Sequence, residues 1–146
     1  MIIAVDFDGT IVEHKYPAIG KEIPFAIATL KQLQAEHHRL ILWSVREGAL
    51  LEEALEYCRS RGLEFYAANC NYPEEPMVEN PTSTCRKLKA DIFIDDRNLG
   101  GLPDWGVIYT IIHEKRSWES YWREVYLSGE EKREERRTFW QRFLNR

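Results

Sequence analysis

Residues 2–14, "IIAVDFDGTIVEH", contain a short apolar run that leads into two carboxylates, Asp6 and Asp8, followed by a glycine and a threonine. The run at residues 2–5 is apolar at every position, which predicts a strand that is buried on both faces of a sheet. A charge at the end of such a strand is unfavourable unless it is paired or bound to a metal ion. The two acids therefore predict a functional site after the first strand, although an Asp-Gly pair by itself also marks an ordinary turn.

The composition is that of an ordinary globular domain, with 146 residues of which 44% are hydrophobic and 30% are charged. The net charge of −4 argues against a protein that coats nucleic acid, and no apolar run reaches the length of a membrane span. The three cysteines, Cys58, Cys70 and Cys85, fit neither a zinc site nor a disulfide framework, which indicates reduced thiols. Because the N-terminus also has no basic leader or cleavage-site pattern, we expect a cytoplasmic protein.

Segments typical of strands and of helices alternate along the first 112 residues. Helical spacing of apolar residues predicts helices within residues 24–36 and 47–62, the second of which is closed by Gly62 as a C-terminal cap. The apolar runs that predict further strands are residues 40–43, 63–68, 90–95 and 106–112. Such alternation is typical of right-handed βαβ units, so we predict an α/β fold, doubly wound around a mostly parallel sheet of five strands.

Residues 113–146 differ in character, and we divide the chain into a core of residues 1–112 and a C-terminal helical extension. A stripe at helical spacing, which includes Trp118, Trp122 and Tyr126, predicts a helix that packs on the core. A second apolar face comprises Phe139, Trp140, Phe143 and Leu144. Because such faces must be buried on something, we expect this second face to support self-association as a homodimer.

The carboxyl ends of the predicted strands bring oxygen ligands together at one edge of the sheet, where open α/β folds bind their ligands. These ligands are Asp6, Asp8, Ser44, Asp95 and Asp96. Clustered carboxylates repel one another unless a cation neutralises them, and a set of oxygen ligands suits Mg²⁺. Together with a hydroxyl and a nearby lysine, such a site suits a phosphoryl group, because one acid can attack phosphorus while the other transfers protons.

The same residues carry a resemblance to a known family. "DFDGT" at residues 6–10 resembles motif I of the haloacid dehalogenase superfamily, whose phosphatase members carry DxDx[TV]. "LILWS" at residues 40–44 is similar to motif II, a lysine before the fourth strand to motif III, and "DIFIDDRN" at residues 91–98 to motif IV. The motifs occur in the family's order over residues 2–112, and the resemblance implies the family's Rossmann-like core and a magnesium-dependent phosphatase activity.

The resemblance implies a role for each residue of the cluster, carried over by position in the motifs. Asp6 would be the nucleophile that forms an aspartyl-phosphate, and Asp8 would protonate the leaving alcohol and then activate water. Ser44 would hydrogen-bond the phosphoryl oxygens. Asp95, with Asp96 second, would join Asp6 and the backbone carbonyl of Asp8 around Mg²⁺.

Several assignments stay open at the level of sequence. Either Lys87 or Lys89 could be the catalytic, phosphate-binding lysine. We prefer Lys87, because it lies farther from the predicted fourth strand, at the end of the predicted short helix, and has room to reach over the site. Ser44 could instead cap the helix that begins near residue 47. Arg46, on the loop over the site, is expected to bind a substrate anion, although an arginine there is usually a surface residue.

The intervals between the motifs are too short for an additional domain, so the resemblance implies a capless enzyme with an open site. The loop at residues 69–81 is the expected contact for the leaving group, and Thr82 or Ser83 could cap a short helix through Leu88. We expect a phosphorylated small molecule or nucleotide end as the substrate, with no membrane partner and no general nucleic-acid binding. The alternatives are a phospholigand-binding or regulatory protein without turnover, and a phosphotransferase.

Overall fold

The structure of the protein, a computed structural model, describes residues 1–75 and 87–129. The strands are β1 (Ile2–Val5), β2 (Arg39–Leu42), β3 (Ala67–Ala68) and β4 (Ile92–Ile94), and the helices are α1 (Ala26–Ala35), α2 (Gly48–Arg59) and α3 (Trp105–His113). Residues 118–129 form a further helix, α4, within the described part of the chain. The chain divides into two compact units, one of residues Met1–Gly106 and one that begins at Val107.

The four strands of the described residues form one parallel sheet in the order β3-β2-β1-β4. The prediction of an α/β fold with a parallel sheet is therefore confirmed. β1 is paired on both sides, and its residues Ile3, Ala4 and Val5 are at most 1% exposed, as expected for the apolar run that begins the sequence. Because β2 and β3 lie on one side of β1 and β4 on the other, the strand order reverses at β1, where a crevice forms beyond the carboxyl ends.

The buried face of α1 and the C-terminal end of α2 also agree with the sequence pattern. α1 buries Ile27, Leu30 and Leu33 at helical spacing. Beyond α2, Gly62 has a φ of +75°. The backbone N–H of Leu63 donates to the carbonyl of Cys58 at 3.0 Å, and that of Gly62 donates to the carbonyl of Arg59 at 2.9 Å. This pair of hydrogen bonds is a Schellman motif, which confirms the role of Gly62 as the C-terminal cap.

The prediction of a fifth strand at residues 106–112 is wrong, because this segment belongs to helix α3. Asp104 precedes the helix, and its Oδ1 accepts a hydrogen bond from the backbone N–H of Gly106 at 2.8 Å, which is the geometry of an N-terminal cap. Trp105 anchors the same turn, since it is 2% exposed and its Nε1 donates to the carbonyl of Thr10 at 3.2 Å. A short apolar run does not by itself distinguish a strand from a buried helix, and here the capping residue decides.

The remaining predictions for the second half of the chain are covered only in part. The short helix predicted from Thr82 or Ser83 and the apolar face from Phe139 to Leu144 lie outside the described residues. Helical structure is present in α4, where Trp118 and Trp122 lie edge to face with ring centroids 5.4 Å apart. Trp118 is 45% exposed and Trp122 is 49% exposed. Packing on the core and self-association stay predictions.

None of the helices in the described part of the chain is long and apolar enough to cross a membrane.

The cap at Asp104 provides a test of α3. Asp104→Ala removes the acceptor for the Gly106 N–H, and we expect it to lower the free energy of unfolding by about 1 kcal/mol. Asp104→Asn keeps an acceptor oxygen at the same position and is the matched control, for which we expect little change. Urea denaturation followed by circular dichroism measures both. Equal stability of the wild type and Asp104→Ala would contradict the capped helix.

Candidate functional site

The register of the sheet aligns the carboxyl ends of its strands. Val5 pairs with both Leu42 and Ile94, and Leu42 pairs with Ala68. Backbone hydrogen bonds of 2.8–2.9 Å then extend this pairing to the next residue on three strands, Asp6, Trp43 and Asn69. The backbone at this edge is therefore held in place by the neighbouring strands.

A pocket of about 210 Å³ opens at this edge of the sheet. Its lining residues are Asp6, Asp8, Trp43, Ser44, Val45, Asp95 and Arg97. It thus contains most of the side chains that the sequence predicts for the site. The strand order reverses at the same place, as is typical of ligand sites in open α/β sheets.

Three carboxylates meet beside this pocket. Asp6, Asp95 and Asp96 each contribute an oxygen, and these oxygens lie within 4.8 Å of one another. The pKa of Asp6 is raised from its ordinary value of 3.8 to about 6, chiefly because burial disfavours the charged form. The charges of Asp95, Asp96 and Asp8 also raise it, and a hydrogen bond from the backbone of Phe7 lowers it. The cluster therefore carries more negative charge than its surroundings neutralise.

Asp96 provides an independent indication that a cation fits here. Its Oδ1 is buried and has no hydrogen-bond partner within the described residues, which is uncommon for a buried acceptor. Gly9 has a φ of +90°, and a Cβ at this position would lie 2.4 Å from Asp96 Oδ2. A side chain at position 9 would therefore collide with the Asp96 carboxylate, and glycine leaves room for it. An oxygen-liganded cation such as Mg²⁺ would satisfy the remaining lone pairs of these three acids.

Thr10, to which the sequence analysis assigns no role, joins the loops that carry the acids. Its hydroxyl accepts a hydrogen bond from the backbone N–H of Asp96 at 3.1 Å and donates to Asp6 Oδ2 at 3.4 Å. The residue is fully buried, and its carbonyl accepts the bond from Trp105. The sequence signal for a role of Thr10 is its position two residues after Asp8. Its hydrogen bonds, however, depend on the pairing of β1 with β4, which sequence alone does not reveal.

Asp8 and Arg46 form a buried bidentate ion pair. Arg46 Nε donates to Asp8 Oδ2 at 2.7 Å, and Nη2 donates to Asp8 Oδ1 at 2.8 Å. Arg46 is 0% exposed and Asp8 is 3% exposed. The guanidinium also donates to the backbone carbonyls of Pro17 at 3.0 Å and Ala18 at 2.9 Å. Two parallel charge-assisted hydrogen bonds make this the strongest type of side-chain contact with a carboxylate.

Arg46 is not among the residues that line the pocket, and four of its five N–H groups are used by Asp8 and two carbonyls, which argues against the predicted binding of a substrate anion. Its guanidinium carbon also lies 5.1 Å from the ring centroid of Phe7 and 5.4 Å from that of Tyr16, so that aromatic groups surround it. The hydrogen bond to Asp8 is the main reason that the pKa of Arg46 is raised. Its charge is held inside the fold and does not face the pocket.

Ser44 lines the pocket as predicted, and its position is fixed by Asn69. The backbone N–H of Ser44 donates to Asn69 Oδ1 at 2.8 Å, and Asn69 Nδ2 donates to the carbonyl of Arg46 at 3.2 Å. The Ser44 hydroxyl accepts a bond from the backbone N–H of Arg46 at 3.3 Å. The alternative that Ser44 caps α2 is not supported, since the residue at the cap position is Glu47. Asn69, the first residue of the loop at residues 69–81, is a site residue that the sequence analysis did not single out.

The two candidate lysines are both exposed, and neither is among the residues that line the pocket. Lys87 Nζ lies 5.5 Å from the ring centroid of Phe93, while the backbone N–H of Lys89 donates to Asn71 Oδ1 at 2.7 Å. The choice between them stays open. Arg97, which the sequence analysis did not assign to the site, lies in the pocket instead.

The raised pKa of Asp6 predicts an effect on the stability of the metal-free protein. A carboxyl whose folded pKa of about 6 exceeds its ordinary value of 3.8 costs the fold stability when it is ionised. This cost is absent at a pH below the unfolded value and complete above the folded value. In EDTA, Asp6→Asn should therefore raise the melting temperature at pH 8, and the difference should shrink towards pH 4.

Thermal unfolding monitored by circular dichroism measures this difference. Asp91→Asn is the matched control, because Asp91 is exposed at the start of β4 and its Oδ2 accepts a hydrogen bond from the N–H of Ile2 at 2.7 Å. Asparagine can accept the same bond, so little change is expected. A melting temperature of Asp6→Asn below that of the wild type at pH 8 would contradict the unfavourable charge at Asp6.

Comparison with known proteins finds one informative relative. No family model and no curated protein matches the sequence. A solved structure, that of a conserved protein coded by a locus from Bacteroides thetaiotaomicron, is 69% identical with a TM-score of 0.74, over 82% of this chain and 94% of that chain. With this identity over nearly the whole of the relative, the chain belongs to the same family as the conserved protein from Bacteroides thetaiotaomicron.

Proposed function

We propose that the protein is a magnesium-dependent phosphomonoesterase with the doubly wound, Rossmann-like core of the haloacid dehalogenase superfamily. The observation that carries the proposal is the cluster of Asp6, Asp95 and Asp96, whose oxygens lie within 4.8 Å at the point where the strand order reverses. Asp8 and Ser44 line the adjoining pocket, so that a nucleophile, a proton-transfer group and a hydroxyl donor are next to the metal ligands. Together these groups are what phosphoryl transfer through a covalent intermediate requires.

The metal site in this proposal consists of Asp6, Asp95, Asp96 and the backbone carbonyl of Asp8. The buried Asp96 Oδ1, which has no partner in the described part of the chain, supports a cation at this position. When bound, Mg²⁺ would neutralise the clustered carboxylates and stabilise negative charge on the phosphoryl oxygens.

The chain's own residues perform the two steps of hydrolysis. In the first, a carboxylate oxygen of Asp6 attacks phosphorus, the bond from phosphorus to the leaving oxygen breaks, and Asp8 gives that oxygen a proton. In the second, Asp8 takes a proton from water, the water oxygen attacks phosphorus, and the bond to Asp6 breaks to release phosphate. The Ser44 hydroxyl hydrogen-bonds the phosphoryl oxygens, and Asn69 fixes the Ser44 backbone through its 2.8 Å contact.

The ion pair with Arg46 suits the second of these steps, in which Asp8 takes a proton from water, whereas in the first step Asp8 has to carry that proton while it is hydrogen-bonded to Arg46. An ionised carboxylate offers about four acceptor positions, and Arg46 occupies two of them through its hydrogen bonds of 2.7 and 2.8 Å. Asp8 also contributes to the lining of the pocket. Arg46 thus orients the carboxylate while leaving acceptor capacity towards the substrate.

Hydrolysis of p-nitrophenyl phosphate with Mg²⁺ tests the proposal. We expect activity in the wild type and a loss on the order of 10³-fold or more in Asp6→Asn, which removes the nucleophile. Asp91→Asn, at the opposite end of the sheet, is the matched control and should retain wild-type activity. Binding of phosphate without hydrolysis of any phosphomonoester would favour the non-catalytic alternative, and phosphate transfer to added alcohols would favour a phosphotransferase.

The two acids after β4 are expected to differ in their contribution to metal binding. Asp95 lines the pocket, whereas Asp96 lies against Gly9. We therefore expect Asp95→Asn to weaken Mg²⁺ binding more than Asp96→Asn, with a loss on the order of 10-fold or more for Asp95→Asn. Calorimetric titration with Mg²⁺ compares the two variants. The reverse order would show that Asp96 is the principal ligand.

A further inference from the structure

The charges that line the pocket are unevenly balanced. Its described lining contains three acids, Asp6, Asp8 and Asp95, and a single basic residue, Arg97. The fully buried guanidinium of Arg46 neutralises Asp8 through their ion pair, which leaves Asp6 and Asp95 as the uncompensated acids of the lining. A phosphoryl group adds further negative charge, so a basic side chain that faces the pocket would favour its binding beside the proposed Mg²⁺.

Arg97 is held in place by the same turn that carries Asp95. Arg97 lies three residues after the end of β4, and its backbone N–H donates to Asp95 Oδ1 at 2.8 Å. This bond fixes the start of the Arg97 side chain beside a proposed metal ligand. The lysine side chains offer no such placement, since neither Lys87 nor Lys89 lines the pocket.

The guanidinium of Arg97 differs from most others in the described chain because it is unpaired. Arg59, Arg61, Arg116 and Arg123 each form an ion pair with a glutamate. Arg97, in contrast, is exposed and its side chain makes no hydrogen bond or ion pair within the described residues, although three acids line the same pocket. Its five N–H donors are therefore free to bind a ligand.

We propose that Arg97 binds the phosphoryl oxygens of the substrate directly, as the pocket's anion-binding residue, an inference that rests on the proposed function. The planar guanidinium presents pairs of parallel N–H groups that match the spacing of two phosphate oxygens. The Ser44 hydroxyl lines the same pocket and supplies a further donor. Arg97 thereby takes the anion-binding role that the sequence suggested for Arg46.

Binding of inorganic phosphate in the presence of Mg²⁺, measured by calorimetry, tests the inference without requiring turnover. We expect Arg97→Gln to weaken phosphate binding about 10-fold and Arg97→Lys, which keeps the charge but loses the paired donors, to weaken it less. Arg59→Gln is the matched control, because Arg59 lies on α2 in an exposed pair with Glu56, and its phosphate affinity should be that of the wild type. Since the Arg97 side chain is exposed and makes no hydrogen bond or ion pair within the described residues, its variants should keep the wild-type melting temperature.

Unchanged phosphate affinity in Arg97→Gln would overturn the inference, as would an equal loss in Arg59→Gln. In the hydrolysis assay, the KM of Arg97→Gln for p-nitrophenyl phosphate should rise about 10-fold, in line with the phosphate affinity. The two proposals fail separately. Phosphate binding that depends on Arg97 without any hydrolysis would refute the esterase and retain the inference, whereas hydrolysis with unchanged KM and phosphate affinity in Arg97→Gln would do the reverse.

Discussion

The buried ion pair between Asp8 and Arg46 is the constraint on which the arrangement of the site depends. A guanidinium that is 0% exposed is tolerated only if its donors are satisfied, and here Asp8 and the carbonyls of Pro17 and Ala18 satisfy them. The pair joins the loop after β1 to the loop after β2, which lie 38 residues apart in sequence. Removal of one partner would leave an uncompensated buried charge at a cost of about 3–5 kcal/mol. The positions of both loops are therefore fixed together.

This constraint separates the charged groups of the site into two classes. Asp8 and Arg46 neutralise each other inside the fold, so that Asp8 is oriented and Arg46 is buried away from the pocket lining. The acids on the other side, Asp6 among them, have no such partner, and burial together with their mutual repulsion raises the pKa of Asp6 to about 6. The neutralised pair fixes geometry, while the uncompensated acids form the cluster at which the proposed Mg²⁺ would bind.

The features that sequence could predict are those that depend on local pattern. The apolar run before Asp6 predicted β1, and Gly62 predicted the end of α2. Contacts between residues far apart in the sequence could not be predicted, because nothing near Arg46 in the sequence indicates that Asp8 lies beside it. The prediction of a strand at residues 106–112 was wrong for a different reason, since a short β-branched run fits a strand and a buried helix equally well. The sequence signal for the helix is Asp104, which caps it.

The uncompensated acids also lower the stability of the fold at the carboxyl edge of the sheet. Asp96 Oδ1 is buried without a partner in the described chain, and Gly9 adopts a φ of +90° beside it. The first feature reduces the stability of a metal-free protein, because an unsatisfied buried acceptor opposes folding, whereas glycine adopts a positive φ without such a penalty. A cation bound to these acids would reverse the first cost by linkage, since a ligand that binds only the folded state stabilises it. In the proposed function, stability and metal affinity would therefore be coupled through the same carboxylates, and Asp6 would link both to phosphoryl transfer.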